Sequence, residues 1–162
     1  MFQAIYYFES DSLDLALQGD GNNLGFLDII EEYGITDAAN LANFYVGAAY
    51  LKQGKHKLAR LYLEDFKSDD LLIQARAYSL IGDAYTELGE LDNAADSYQK
   101  AADYKPNKYF TPRYLMKAAF AYEEAGDTAA AIKAYDTIIE EYWDSTEFQN
   151  AKKYRARLDS NS

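Results

Sequence analysis

The chain has 162 residues, no cysteine and a formal net charge of -11, from 16 basic and 27 acidic side chains. This length suits one domain that buries a core without a metal or disulfide, and the missing cysteines exclude thiol chemistry and thiolate metal sites. An acidic chain repels a phosphate backbone, so we expect no nucleic acid partner. No apolar run approaches the roughly 18–20 residues that span a bilayer, so we expect no direct membrane insertion by this segment.

Apolar residues recur at helical spacing along the chain, and turn residues separate the periodic stretches. Glycines at 34, 54, 89 and 126 fall where a helix should end, and Pro112 fits the first turn of a helix, where its missing N–H costs little. In chain order, the predicted helices cover residues 2–18, 24–33, 38–53, 55–66, 71–88, 91–104, 110–125, 128–142 and 146–158. The sequence therefore predicts an all-α protein with about nine helices.

One pattern occurs three times. Residues 78–106 read Tyr78-x2-Ile81-Gly82-x2-Tyr85, then Gly89, Ala94-x3-Tyr98 and Pro106, and the pattern recurs around Gly47 and around Ala119. The step from Gly47 to Gly82 is 35 residues and the step from Gly82 to Ala119 is 37. A repeat of this length with small residues at fixed points indicates stacked helix hairpins. The same alignment predicts a repeated layer of core residues: Phe26/Ile29, Leu63/Phe66, Tyr98/Ala101 and Tyr135/Ile138.

These residues resemble the tetratricopeptide repeat, with Tyr78 in place of its tryptophan and Tyr98 in place of its phenylalanine. The resemblance implies a right-handed superhelical solenoid of antiparallel helix pairs, forming one domain over residues 1–162. Its expected parts are a degenerate N-terminal pair at 2–33, repeats at 38–66, 71–104 and 110–142, and a C-terminal capping helix at 146–158. It also implies a non-catalytic scaffold for protein–protein interaction.

In this family the first helix of each pair lines a concave groove that binds a peptide or helix of another protein. The resemblance implies a groove lined by Leu41, Phe44, Ala48, Leu51, Arg76, Ser79, Asp83, Arg113, Met116, Lys117 and Phe120. Some relatives clamp a chain-terminal carboxylate, and Arg113 and Lys117 match only the third-repeat part of that clamp. We therefore expect a hydrophobic or basic-hydrophobic partner segment. The alternative is that Phe44, Met116 and Phe120 simply pack against neighbouring helices.

A narrower resemblance is to bacterial cell-envelope repeat proteins, in which a Glu-Tyr pair, a turn and a Ser or Thr link successive units. It occurs here at residues 32–39 and 141–146. Such proteins include ancillary subunits of the secretion translocon and outer-membrane assembly lipoproteins. The resemblance implies a location in the cell envelope, with a tethering segment before Met1; a cytoplasmic scaffold is the alternative.

Other motifs give only weak indications of metal binding or catalysis. Residues 20–31 partly mimic a calcium loop, but Leu24 occupies a place that needs an oxygen ligand. Adjacent acidic residues such as Glu140 and Glu141 diverge on a helix, and His56 has no catalytic partner at a recognisable spacing. We expect no catalytic residue, no metal site and no cofactor.

The N-terminus suggests a second type of function. Phe2, Ile5, Tyr6, Tyr7 and Phe8 form an apolar start to the chain. If they are exposed, they favour a self-associating structural subunit, such as a homodimer formed through the solenoid ends.

Overall fold

The computed structural model describes residues 1–160. The chain forms two compact units: the first is Met1–Asp69, and the second starts at Asp70. Over these residues the protein contains ten helices and no strand, which confirms the all-α prediction. The first unit contains α1 (Phe2–Glu9), α2 (Leu13–Gln18), α3 (Phe26–Tyr33), α4 (Asp37–Lys52) and α5 (His56–Asp65). The second contains α6 (Leu71–Glu87), α7 (Leu91–Asp103), α8 (Thr111–Ala125), α9 (Thr128–Glu141) and α10 (Phe148–Ser160). The single-domain arrangement stays a prediction.

The first predicted helix, at 2–18, is two helices. The chain turns at Ser10, Asp11 and Ser12, where Asp11 has φ 60° and the backbone N–H of Ser12 donates to the carbonyl of Tyr7. Serine and aspartate side chains compete with the helix for backbone groups, and aspartate tolerates the left-handed conformation. Ser10 does this directly, because its hydroxyl donates to the same Tyr7 carbonyl at 3.1 Å. The apolar periodicity continues across the break, which is why it predicted one helix.

Successive helices within each unit pack side by side, as the repeat predicted. Close approaches occur at Gly47 and Gly82 of the repeated pattern, both of which are buried. A Cβ on Gly47 would lie 2.4 Å from Cγ of Leu63, and one on Gly82 would lie 2.5 Å from Cε1 of Tyr98. Each glycine therefore leaves room for one side chain of the second helix in its pair.

The predicted core layer is confirmed in each unit. Its eight members are 6% exposed or less. In the second unit the layer continues into a cluster that joins α8, α9 and α10 around Tyr135 and Ile138. The prediction succeeded because the spacing of apolar residues, which identifies the buried face of a helix, can be read from the local sequence.

The closing helix, α10, begins two residues later than predicted, at Phe148. It packs against α9 through buried Ala151, with Tyr154 and Leu158 beside the same cluster. Its arginines bind acidic residues of the preceding helices: Arg155 pairs with Asp136 of α9 at 2.8 Å, and Arg157 pairs with Glu123 of α8. The polar outer face suits the end of a repeat array. No described helix is both long and apolar enough to span a bilayer.

Candidate partner-binding groove of the second unit

A pocket of about 460 Å³ lies between α6 and α8, the first helices of two successive pairs. The capping residue Asp70 positions the start of α6, because its carboxylate accepts from the backbone N–H groups of Leu72 and Ile73. These hydrogen bonds hold the pKa of Asp70 below its usual value. Pro112 lies in the first turn of α8. The pocket is lined by Leu71, Leu72, Ala75, Arg76, Ser79, Leu80, Asp83, Phe110, Arg113, Tyr114 and Lys117.

A polar network crosses one end of this pocket. Lys117 on α8 donates to the carboxylate of Asp83 on α6 at 2.7 Å and to the hydroxyl of Ser79 at 3.2 Å. The hydroxyl of Tyr98, from α7, donates to the same Asp83 oxygen at 2.8 Å. The Lys117 ammonium also lies 5.1 Å from the centre of the Tyr98 ring. Lys117 is therefore held in place by an anion, a hydroxyl and an aromatic ring.

Two other cations in the pocket have no such partner. Within residues 1–160, neither Arg76 nor Arg113 forms an ion pair or a hydrogen bond through its side chain, and both are exposed. Both lie close enough to the Tyr114 hydroxyl for their charges to act on its pKa. Burial raises that pKa overall, and the two guanidinium groups partly offset the rise. The pocket thus presents two free positive charges beside apolar walls.

Two segments of the second unit match models of one family. Residues 75–108, covering most of α6 and all of α7, match a tetratricopeptide repeat, and residues 113–145, covering α8 and α9, match another. Each of these two segments is therefore similar to a tetratricopeptide repeat. No curated protein matches the chain. The groove between α6 and α8 is thus formed by the first helices of the two matching segments, and tetratricopeptide repeats generally mediate protein–protein interaction.

The groove residues predicted in the first unit all lie on α4. Leu41, Ala48 and Leu51 are half-buried there. Phe44 is buried, with its ring 5.4 Å from that of Phe66 and 5.7 Å from that of Tyr45. Phe44 therefore fits the alternative of simple packing against neighbouring helices, because its ring contributes to the core of the first unit.

The two matching segments bring most of the other predicted residues together. Five of them line the pocket: Arg76, Ser79, Asp83, Arg113 and Lys117. Met116 instead packs in the core with α9 and α10. Phe120 is exposed on one side and packs edge-on against Tyr154 of α10, with the ring centres 5.1 Å apart.

Sequence reasoning missed the apolar walls of the pocket. On α6, Leu72 lies four residues before Arg76, and Leu80 lies four residues after it. Phe110 lies just before α8, and Tyr114 follows Arg113 on α8. Residues four apart share a helix face, so this spacing was a usable signal. On these helices the predicted lining began at Arg76 and Arg113, so it omitted the residues before them, and it also omitted Leu80 and Tyr114.

The calcium-loop alternative does not fit the structure. The Asp20 carboxylate accepts from the Tyr7 hydroxyl at 2.6 Å and from the backbone N–H groups of Asn22 and Asn23. These hydrogen bonds, that of Tyr7 first, hold the pKa of Asp20 well below its usual value. In the described part of the chain, no group of three or more His, Cys, Asp or Glu side chains could hold a metal ion. Asp20 instead closes the turn before α3.

Proposed function

We propose that the protein is a non-catalytic interaction scaffold that binds a segment of a partner protein between α6 and α8. The observation that carries the proposal is the open pocket itself, which combines exposed apolar side chains with free cations. Burying apolar side chains supplies binding free energy, while a few polar groups set orientation. The first helices of tetratricopeptide repeats already lie side by side here, so a bound helix or extended strand needs little rearrangement of the groove.

The groove is tested by removing its exposed apolar side chains. Leu72 is 49% exposed and Phe110 is 38% exposed, so changing both to serine should leave the fold intact. We expect peptides enriched from a random 12-residue phage library on the wild-type protein to bind the Leu72→Ser/Phe110→Ser variant at least about tenfold more weakly, because a buried apolar side chain contributes about 1.5–3 kcal/mol.

The matched control is Leu58→Ser/Leu61→Ser on α5. These leucines are 41% and 50% exposed and lie in the other unit. We expect the control to bind the enriched peptides as the wild type does, and melting temperatures to show that both variants are folded. Equal binding of the peptides to the groove variant and the wild type would place the binding site elsewhere.

A second candidate function is self-association through the outer face of α1. Phe2 is 89% exposed and Tyr6, one helical turn later, is 59% exposed, whereas Ile5, Tyr7 and Phe8 pack against the core of the first unit. Exposed apolar residues on one face of a terminal helix favour pairing with a second copy.

Light scattering tests this candidate directly. We expect the mass to rise with concentration toward that of a dimer, and Phe2→Ser/Tyr6→Ser to abolish the rise. Trp143→Ser, at another exposed aromatic residue in the second unit, is the control and should behave as the wild type does. A monomer mass at every concentration would reject self-association.

The cell-envelope location remains part of this proposal. It rests on the Glu-Tyr corner motifs at residues 32–39 and 141–146. These corners connect α3 to α4 and α9 to α10, so they do occupy equivalent links between helices.

A further inference from the structure

We propose that the partner segment carries carboxylates interleaved with apolar side chains, and that Arg76 and Arg113 bind those carboxylates. This inference rests on the proposed function of the α6–α8 groove. It reverses the sequence-based expectation of a hydrophobic or basic-hydrophobic partner. The reason is the distribution of charge within the groove.

The charge of the groove is opposite to that of the chain. The whole protein has a formal net charge of -11. The pocket contains three cations, Arg76, Arg113 and Lys117, and one anion, Asp83. Asp83 is neutralised by Lys117 at 2.7 Å, which leaves two uncompensated positive charges. A basic segment would be repelled here, and an acidic segment would be attracted to this surface in particular.

The two arginines occupy equivalent places. Arg76 and Arg113 are 37 residues apart, the same step that separates Gly82 from Ala119. They therefore lie at corresponding points on the first helices of neighbouring repeats, facing one pocket. A guanidinium group offers a planar fork of donors that suits a carboxylate. Two such groups in one pocket suit two acidic residues of one segment.

The apolar walls specify the rest of the segment. Leu72, Leu80 and Phe110 line the same pocket as the arginines. A small inorganic anion would leave these side chains exposed, whereas a peptide with leucine, isoleucine or phenylalanine between its acidic residues would cover them. Lys117 does not act as a third anion ligand, because Asp83, Ser79 and the Tyr98 ring already hold it.

The experiment uses the full chain and a phage library of random 12-residue peptides fused to the coat protein through their C-termini. Because no displayed peptide has a free C-terminus, any selection reports internal side chains. On the wild-type protein we expect peptides with two or more acidic residues among apolar ones. Replacing those acids by Asn or Gln in the synthetic peptide should weaken binding about tenfold or more per lost charge-assisted contact. Added salt should weaken the acidic peptide further.

The decisive variant is Arg76→Glu/Arg113→Glu, which should reverse the selection toward basic peptides. Both side chains are exposed, so we expect its melting temperature to stay close to that of the wild type. The control Lys57→Glu/Lys100→Glu changes the net charge equally at exposed positions outside the pocket and should retain the acidic preference. Neutral or basic peptides on the wild type, or an unchanged preference on the arginine variant, would overturn this inference.

Two further outcomes have distinct meanings. Failure of the wild type to select any peptide, or selection that survives Leu72→Ser/Phe110→Ser, would count against the groove function itself. A rise of mass with concentration that Arg76→Glu/Arg113→Glu abolishes would place a second copy of this chain in the groove and overturn the assignment to a separate partner.

Discussion

Replacing Gly82 with alanine is expected to destabilise the second unit, although alanine is the better helix former. The added Cβ would lie 2.5 Å from Cε1 of Tyr98. That ring cannot withdraw easily, because it is buried and its hydroxyl binds Asp83 at 2.8 Å. Alanine gains about 1 kcal/mol in helix propensity, and overpacking of a core costs about 1–3 kcal/mol. The two effects together predict a net loss of up to about 2 kcal/mol in the free energy of unfolding, measured by denaturant titration.

The third repeat provides the matched control, because it carries Ala119 where the second carries Gly82. There the ring of Tyr135 is accommodated beside alanine, and its hydroxyl binds Glu123. Ala119→Gly should therefore cost about 1 kcal/mol, from helix propensity and a small void. A gain of stability in Gly82→Ala would show that the Tyr98 ring moves aside freely, contrary to this account of the repeat.

The protein is expected to lose stability steeply above pH 10. Burial is the main cause that raises the pKa of both Tyr98 and Tyr135 above that of a free tyrosine. A tyrosine in the unfolded chain ionises near pH 10, so above that pH the unfolded state loses a proton that the folded state keeps. Each such tyrosine then lowers the free energy of unfolding by about 1.4 kcal/mol per pH unit until its folded pKa is reached. Below pH 10 neither residue ionises, and this contribution to stability is complete.

Denaturant titrations at pH 8 to 11.5, combined with tyrosinate absorbance, measure this effect. Tyr98→Phe and Tyr135→Phe should each reduce the slope of stability against pH above pH 10, whatever they do to stability at pH 8. Tyr109→Phe, at a residue that is 74% exposed, is the control and should leave the slope unchanged. Complete ionisation of all 16 tyrosines in the folded protein near pH 10 would contradict the prediction.

The groove shows which residues of a binding site can be predicted from the sequence and which cannot. The resemblance to the tetratricopeptide repeat implied that Arg76 and Arg113 line it. Phe44 was predicted by the same reasoning, yet it is buried against Phe66. Periodicity places a residue on a helix face, but it does not say which neighbour covers that face. That depends on the side chain opposite, here a phenylalanine at the end of α5.

The partner segment proposed from the structure differs from the one expected from the sequence for a related reason. The sequence led us to expect a hydrophobic or basic-hydrophobic partner segment. In the structure Asp83 is paired with Lys117, 34 residues away, and within residues 1–160 neither arginine of the pocket forms a side-chain hydrogen bond or ion pair. Whether a charge is compensated depends on distances between helices, which repeat spacing does not specify.

The amino-acid sequence by itself determined the all-α fold, the repeat step, the buried small residues and the core layer. Each of these depends on local backbone preferences and on apolar spacing within one or two helices. Only the tertiary structure decided that Phe44 and Met116 are buried and that, among the described residues, Arg76 and Arg113 have no side-chain hydrogen bond or ion pair. These outcomes depend on which side chains meet across helix boundaries, where a few ångströms separate a paired charge from a free one.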